Sequence, residues 1–357
     1  MFKYEEIYEK LSARIAESKP NQGFWTEMEV ARHFRISRST ARKAMNMLYK
    51  EGAVYRKTKA GTFIAPARNG KKLAIVLPFE RSNNHKIVDA VLENNARFGY
   101  EIDTFFSELN VRKEREILEN VLRERYDGLL FLPSGDSEHA ELISRFVLGR
   151  VPLVLMDIEL SGFDLPLVCS DNEGGYREIV TRFIQKGYKK FLFVMPVAGT
   201  MNSVHDRYRG YCRALLENGI PVRSEYVFRS SVFDESYLSL SVKEQNVVQA
   251  KSARKLYEYY LALDDKPDAI CFINDVSAAY FVNFLQRYDR ELLDRLVIIG
   301  FDGLSMSQKL HFSTVCQNFY AIGKYALLTM DGLFAGETPK SQTKIGTRTV
   351  LWEKENK

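Results

Sequence analysis

Between Ser37 and Leu48, apolar residues fall at Ala41, Ala44, Met45 and Leu48, the three-and-four spacing of a buried helical stripe. Arg38, Ser39, Arg42 and Lys43 fall off that stripe and predict an outward, basic face at the start of the helix. Ser37 is the expected N-cap. Upstream, Ile7, Leu11 and Ile15 recur at steps of four and predict an amphipathic helix over Glu5 to Ser18, which Pro20-Asn21-Gln22-Gly23 ends. Thr26 with Glu29 three residues on forms a capping-box pattern. It opens a second helix carrying Val30, Ala31 and Phe34, before a turn at Arg35-Ile36-Ser37. Helix, short turn, helix is the plan of a helix-turn-helix, whose second helix enters the DNA major groove. After Gly52, residues 53–64 read as two short strands around a basic turn, a wing that could lie along phosphates or in the minor groove.

The pattern then changes. Ala65 to Lys72 is polar and rich in breakers, and it gives way to the apolar run Leu73 to Leu77. From there apolar strands alternate with amphipathic helices. Strands are expected at 73–77, 100–106, 128–132 and 153–157, with helices at 86–98, 112–125 and about 137–148. A second series has strands at 191–195, 269–273 and 297–301, with helices at 174–186, 207–218 and 276–287. Such alternation predicts parallel sheets covered on both faces, here in two α/β lobes. Asp157, Asn274-Asp275 and Asp302 each directly follow an apolar run, at the strand ends where ligands of these sheets sit. The polar stretch Arg229 to Ala250 fits no motif and is expected at a lid or lobe edge.

Charge sharpens this division. The chain has 357 residues and a net charge of +5, yet its first 72 residues hold sixteen Lys and Arg against seven Glu, a net +9, and the remainder is at −4. A polyanion partner is therefore expected for the first segment alone, because each phosphate neutralised releases condensed counterions. The expected domains are 1–66 for DNA binding, 67–72 as linker and 73–357 for ligand binding and dimerisation. Cys169, Cys212, Cys271 and Cys316 are widely spaced, which predicts buried thiols and neither a disulfide framework nor a metal site. No long apolar span or apolar leader is visible, so a cytoplasmic protein without membrane contact is expected.

Residues 2–65 resemble the winged-helix domain of the GntR family. The resemblance is carried by the second helix, by Ser37-Arg38-Ser39-Thr40-Ala41-Arg42-Lys43-Ala44, by Leu48 with Gly52, and by Gly61-Thr62-Phe63-Ile64. It implies base or phosphate contact by Arg38, Ser39 and Arg42, support from Thr40, and a wing tip at Lys59 and Gly61. The family usually has Pro-Ser-Glu-Arg where this chain has Trp25-Thr26-Glu27-Met28, so one customary arginine is missing. Residues 72–352 resemble the effector domain of the lactose/galactose-repressor family. Asp171-Asn172-Glu173-Gly174-Gly175, Arg207-Tyr208-Arg209-Gly210-Tyr211, Asn274-Asp275, Gly300-Phe301-Asp302 and Thr314-Val315-Cys316-Gln317 carry that likeness. It implies that Asp157, Arg207, Asn274, Asp302 and Gln317 line a sugar cleft, with Phe319, Phe79 and Tyr208 as candidates for an aromatic wall. Asp275 is expected to cap a helix from Val276, and Asp171-Asn172 one from Gly174.

End to end, the chain resembles arabinose-repressor-type hybrids. The expected fold is an N-terminal winged helix-turn-helix followed by a two-lobed, periplasmic-binding-protein-like parallel-sheet domain. The expected function is a homodimeric repressor that binds double-stranded operator DNA under control of a monosaccharide or derivative. The helix around His85 to Phe98 is the expected dimer surface. Two alternatives share the fold, a non-sugar effector such as a purine and an exported solute receptor. Gly135-Asp136-Ser137 lacks the flanks of a hydrolase motif, and no GxSxG, HExxH, phosphate loop or GxGxxG is present, so neither catalysis, cofactor nor metal is expected.

Overall fold

In the computed structural model the chain divides into two compact units, Met1–Lys71 and Lys72–Lys357. The structure describes all residues except 1–2, 17, 19–21, 51–52, 58–60, 65–69, 81–82, 136–138, 197–201, 231, 233–239 and 353–357.

The first unit packs helices Lys3–Ala16, Glu27–Phe34 and Arg38–Lys50 against a small antiparallel sheet of β1 (Gly23–Phe24), β3 (Gly61–Ile64) and β2 (Val54–Lys57), in that spatial order. The stripe Ala41, Ala44, Met45 and Leu48 is wholly buried against Ile7, Leu11, Val30, Val54 and Ile64. The capping box at Thr26 forms in full, and Arg35 closes that helix in the left-handed conformation at φ 51°. The brief β1 had no signal of its own in the sequence, because two residues carry no periodicity.

The second unit has two lobes. One sheet runs β14 (Gln342–Ile345), β8 (Leu167–Ser170), β7 (Leu153–Met156), β6 (Gly128–Phe131), β4 (Lys72–Leu77), β5 (Glu101–Phe106), all parallel. The other runs β10 (Val227–Ser230), β9 (Phe191–Pro196), β11 (Ala269–Phe272), β12 (Val297–Asp302), β13 (Ser313–Cys316), β15 (Arg348–Val350), and only β15 is antiparallel. The central strands are buried on both faces, which is why they read as continuous apolar runs.

The chain passes between lobes three times. It leaves β8 for helix Asn172–Gln185 in the second core. It returns from β13 through helix Phe319–Phe334 to the first core, and it crosses again between β14 and β15.

Several expectations need correction. The helix expected from Val276 starts at Asp275 and is capped by Asn274, whose side-chain oxygen accepts from the Ser277 amide at 2.9 Å. Asp171 does cap helix Asn172–Gln185, but Asn172 lies inside it and is buried. The stretch 229–250 is partly edge strand β10 and partly the start of a long helix, Val242–Ala262, opened by a capping box at Ser241 and Glu244; residues 231 and 233–239 lie outside the described residues. Cys169 and Cys271 are buried thiols, whereas Cys212 and Cys316 are only half-buried.

Candidate functional sites

The expected reading helix is Arg38–Lys50. The Ser37 hydroxyl accepts from the Thr40 amide at 3.1 Å, and Ser37 also lies within hydrogen-bond range of the Ser39 and Thr40 hydroxyls, 2.8 Å each. Thr40 is thus half-buried in the cap, while Arg38, Ser39 and Arg42 are exposed around it. Glu27 lies beneath. Its carboxylate pairs with Arg56 of β2 at 2.5 Å and approaches Arg42 at 3.8 Å, bracing the reading helix against the wing. Arg56 also covers the Tyr49 ring at 4.7 Å. Met28, at the position of the missing arginine, is 56% exposed. Gly61 begins β3 at φ +107°, a conformation that favours glycine at the wing turn; Lys59 lies outside the described residues.

In the second unit the strand ends converge on Arg207. Helix Asn202–Glu217 delivers this guanidinium into the interior, where only 7% of the residue is exposed. Its Nε donates to Asn172 Oδ1 at 2.8 Å, one Nη donates to the Ile273 carbonyl at 2.5 Å and lies 3.7 Å from Asp302 Oδ1, and the group stacks 3.9 Å from the Phe301 ring. Gln317 joins the lobes: its amide donates to Asp302 Oδ1 at 2.8 Å, and its carbonyl accepts from Ser170 Oγ at 2.6 Å. Asn83 of the first lobe donates to the Asp302 carbonyl at 3.4 Å.

Asp157 directly follows β7 and Asp302 ends β12, one in each lobe, and both adopt positive φ, 60° and 110°. Such backbone strain in a non-glycine residue persists only where the surroundings enforce it, commonly at functional sites. Burial pushes the Asp157 carboxyl up against the opposing pull of Arg207, and its Oδ1 is buried without a partner. Burial also raises Asp302, to about 6, while Arg207 and Gln317 pull it down.

Arg207, Asp302 and Gln317 are thus in direct contact, and Asp157 lies within electrostatic reach of Arg207 and Asp302. Asn274 adjoins them through Ile273, with its oxygen committed to its helix. Phe79 is half-buried, its carbonyl accepting from Asn84 at 3.2 Å. Phe319 packs in the first lobe's core and is only 7% exposed. Tyr208 packs at the edge of the second lobe's core against Phe193 and Tyr211.

Ser170, Asn172 and Asp275 take part in the site without having been singled out for it; only the motif neighbourhoods of Asn172 and Asp275 gave a signal. A cavity of about 460 Å³, lined in part by Glu159, Asn202, Asp206, Arg209 and Lys344, opens on the opposite face of helix Asn202–Glu217 from Arg207. Among the described residues, no group of His, Cys, Asp and Glu could hold a metal ion, and no helix is long and apolar enough to cross a membrane.

Comparison with known proteins gives a match for each of the two units. Residues 3–64 match the family described as bacterial regulatory proteins, gntR family, and residues 180–353 match the periplasmic binding protein-like domain. The chain thus joins a GntR-type DNA-binding domain to a periplasmic-binding-protein-like domain, the build of a DNA-binding transcription regulator and not of an enzyme.

Among particular proteins, it is 24% identical to the arabinose metabolism transcriptional repressor of Halalkalibacterium halodurans, over 98% of this chain and 94% of that one. It is 29% identical to catabolite control protein A of Priestia megaterium, over 68% and 69%. The crystal structure of transcription regulator CcpA of Lactococcus lactis shares the fold at a TM-score of 0.65 and 20% identity, over 79% of this chain and 98% of that one. A periplasmic binding protein/LacI transcriptional regulator from Alkaliphilus metalliredigens, complexed with D-xylulofuranose, aligns at 0.59 and 18% identity, over 80% and 98%.

Proposed function

We propose that the chain is an operator-binding repressor whose DNA affinity is set by a monosaccharide or close derivative held between the two lobes. The observation that carries this is the joining of Arg207, Asp302 and Gln317 across the lobes, with the unpartnered Asp157 oxygen beside them. Adjacent sugar hydroxyls are both donors and acceptors, and charged carboxylates and an amide suit them. Asp157, Asn274, Asp302, Gln317, Arg207 and Phe79 are the proposed ligand contacts, with Phe319 supporting the wall from the core. Arg38, Ser39, Arg42, Gly61 and Lys59 are the proposed DNA contacts, with Thr40 holding the helix start. The name of the arabinose metabolism repressor supports a pentose.

In this reading residues 1–66 bind DNA, 67–72 link, and 73–357 bind effector and form a cytoplasmic dimer. Leu92, 49% exposed on helix Asn84–Asn95, belongs to the proposed dimer surface. Lobe closure on the sugar would alter the spacing of paired winged helices.

The test is fluorescence anisotropy on the DNA flanking the protein's own gene, at fixed salt, with and without L-arabinose, D-xylulose, D-glucose, D-galactose and a purine base. A severalfold shift with one sugar is expected. A shift with the purine alone sinks the sugar. Arg38→Ala with Arg42→Ala should abolish specific DNA binding and spare ligand binding, and Asp302→Ala should do the reverse; loss of both activities in either variant contradicts the assignment.

A further inference from the structure

Asp275 is completely buried, yet it is a carboxylic acid whose hydrogen bonds all lead to the turn after β12. One oxygen accepts from the Leu304 amide at 2.7 Å. The other meets the Thr314 hydroxyl at 2.6 Å, and that hydroxyl in turn accepts from the Gly303 amide at 3.3 Å. The turn 302–304 is therefore tied to Asp275 at two consecutive amides, directly at Leu304 and through the Thr314 hydroxyl at Gly303. It needs the tie, because Asp302 sits at φ 110° and Gly303 at +68°. The approach is close: a Cβ at Gly300 would lie 2.2 Å from Asp275 Oδ1, so β12 has room for this carboxyl only because position 300 is glycine.

We infer that Asp275 is a positioning residue of the ligand cleft: by holding the 302–304 turn, it aims the Asp302 carboxylate at Arg207 and Gln317. The inference rests on the sugar-cleft reading for its ligand and adds to it a residue that touches no ligand but sets the geometry of one that would.

The chemistry of the pair gives this role a signature. Burial and the charge of Asp302 push Asp275 up to about 8, while Asp302 is raised to about 6. The other groups within electrostatic reach are Asp157 after β7, which raises Asp302 and is itself raised by burial, Arg207 from helix Asn202–Glu217, which lowers both Asp275 and Asp302, Tyr176 from helix Asn172–Gln185, and Cys316 from β13. Burial raises both the phenol and the thiol, so they stay neutral through this range. Helix Val242–Ala262 brings the uncharged Gln249, bonded to Ser277, and the segment before helix Ser305–Leu310 brings the Leu304 amide.

Between these values the pair holds one proton, on Asp275, and one charge, on Asp302. Protonated Asp275 donates to the Thr314 hydroxyl and still accepts from Leu304; the amide introduced by Asp275→Asn can do both. Above about 8 a second charge appears beside Asp302 and strains the turn, and below about 6 Asp302 loses its charge.

The experiment is calorimetric titration of the full chain with L-arabinose, D-xylulose, D-glucose and D-galactose from about pH 5 to about pH 9, on the unaltered protein, Asp275→Asn and Asp275→Ala. A ligand-free arm follows the aspartate carboxyls by ¹³C NMR, with Asp275 assigned by its loss in Asp275→Asn. Affinity should be greatest between about pH 6 and pH 8, falling on both sides. Asp275→Asn should stay within about threefold at neutral pH and lose the alkaline fall, whereas Asp275→Ala should lose about tenfold or more. In the NMR arm the Asp302 titration should move in Asp275→Ala and stay in place in Asp275→Asn. Equal losses in the two variants with an unchanged pH profile, or an Asp275 signal titrating in the ordinary aspartate range, overturn the inference. If no sugar binds any form, the sugar reading fails, and the carboxyl titrations still decide the role of Asp275.

Discussion

Arg207 gives its Nε to Asn172 and one Nη to the Ile273 carbonyl, and lies 3.7 Å from Asp302, so part of its fork is already committed to the protein. In the proposed cleft a ligand would meet acceptors beside that guanidinium, Asp157 among them, which suits a partner rich in hydroxyls. At this scale the sequence was half legible. A strand-end aspartate or arginine within a known motif is visible, but neighbouring polar residues are not separable by type. Asn274 and Asp275 are both good helix caps, and so are Asp171 and Asn172. In each pair one residue caps and the other faces inward, and a register of one residue decides which. Gly300 gives the clearest substitution. Gly300→Ala should cost roughly 2–3 kcal/mol by overpacking against Asp275 and Phe312, seen as a lowered urea midpoint. Effector affinity should fall with it, because the clash falls on the residue that holds the 302–304 turn.

The clearest helix starts are those with reciprocal caps. Thr26 with Glu29 was readable, and its box forms. Ser241 with Glu244 was equally written in the chain and opens a helix that the apolar pattern did not reveal, since Val242, Val247 and Leu261 face solvent and blur the stripe. Strands β10, β14 and β15 lie at sheet edges and carry polar residues, so they lack the apolar run that marks the equally short β6, β7 and β11, and they owe their existence to the sheets they join. Thr26→Ala should destabilise the first unit by about 1 kcal/mol, lowering the unfolding temperature of that transition in calorimetry. Operator affinity should drop as well, since Glu27, in the first turn of the same helix, braces both Arg42 and Arg56.

Across the whole molecule, the +9 of the first 72 residues against the −4 of the rest separates two kinds of binding. DNA affinity should fall steeply with salt, by a log–log slope of about −0.9 for each phosphate contacted. Sugar affinity should hardly change over the same range, which parallel anisotropy and calorimetry would check. The two-lobed plan was legible because alternating strands and helices leave few topologies. The interlobe crossings were not, since the return of helix Phe319–Phe334 to the first lobe is a long-range matter that no local pattern encodes.

Those crossings set an order of events during synthesis. The first lobe's core includes Ile322, Leu327 and Met330, and its sheet ends with β14, so this early-made lobe lacks part of its interior until the chain has been extended past Ile345. Every nascent chain must then hold part of the apolar face of β4, β6 and β7 uncovered, with only helix Asn84–Asn95 against it, while the second lobe is being made, an aggregation-prone interval. A chain stopped after Leu310 should accordingly be captured by chaperones or precipitate, whereas supplying residues 311–357 in trans should recover soluble material, as pulse-labelled synthesis would reveal.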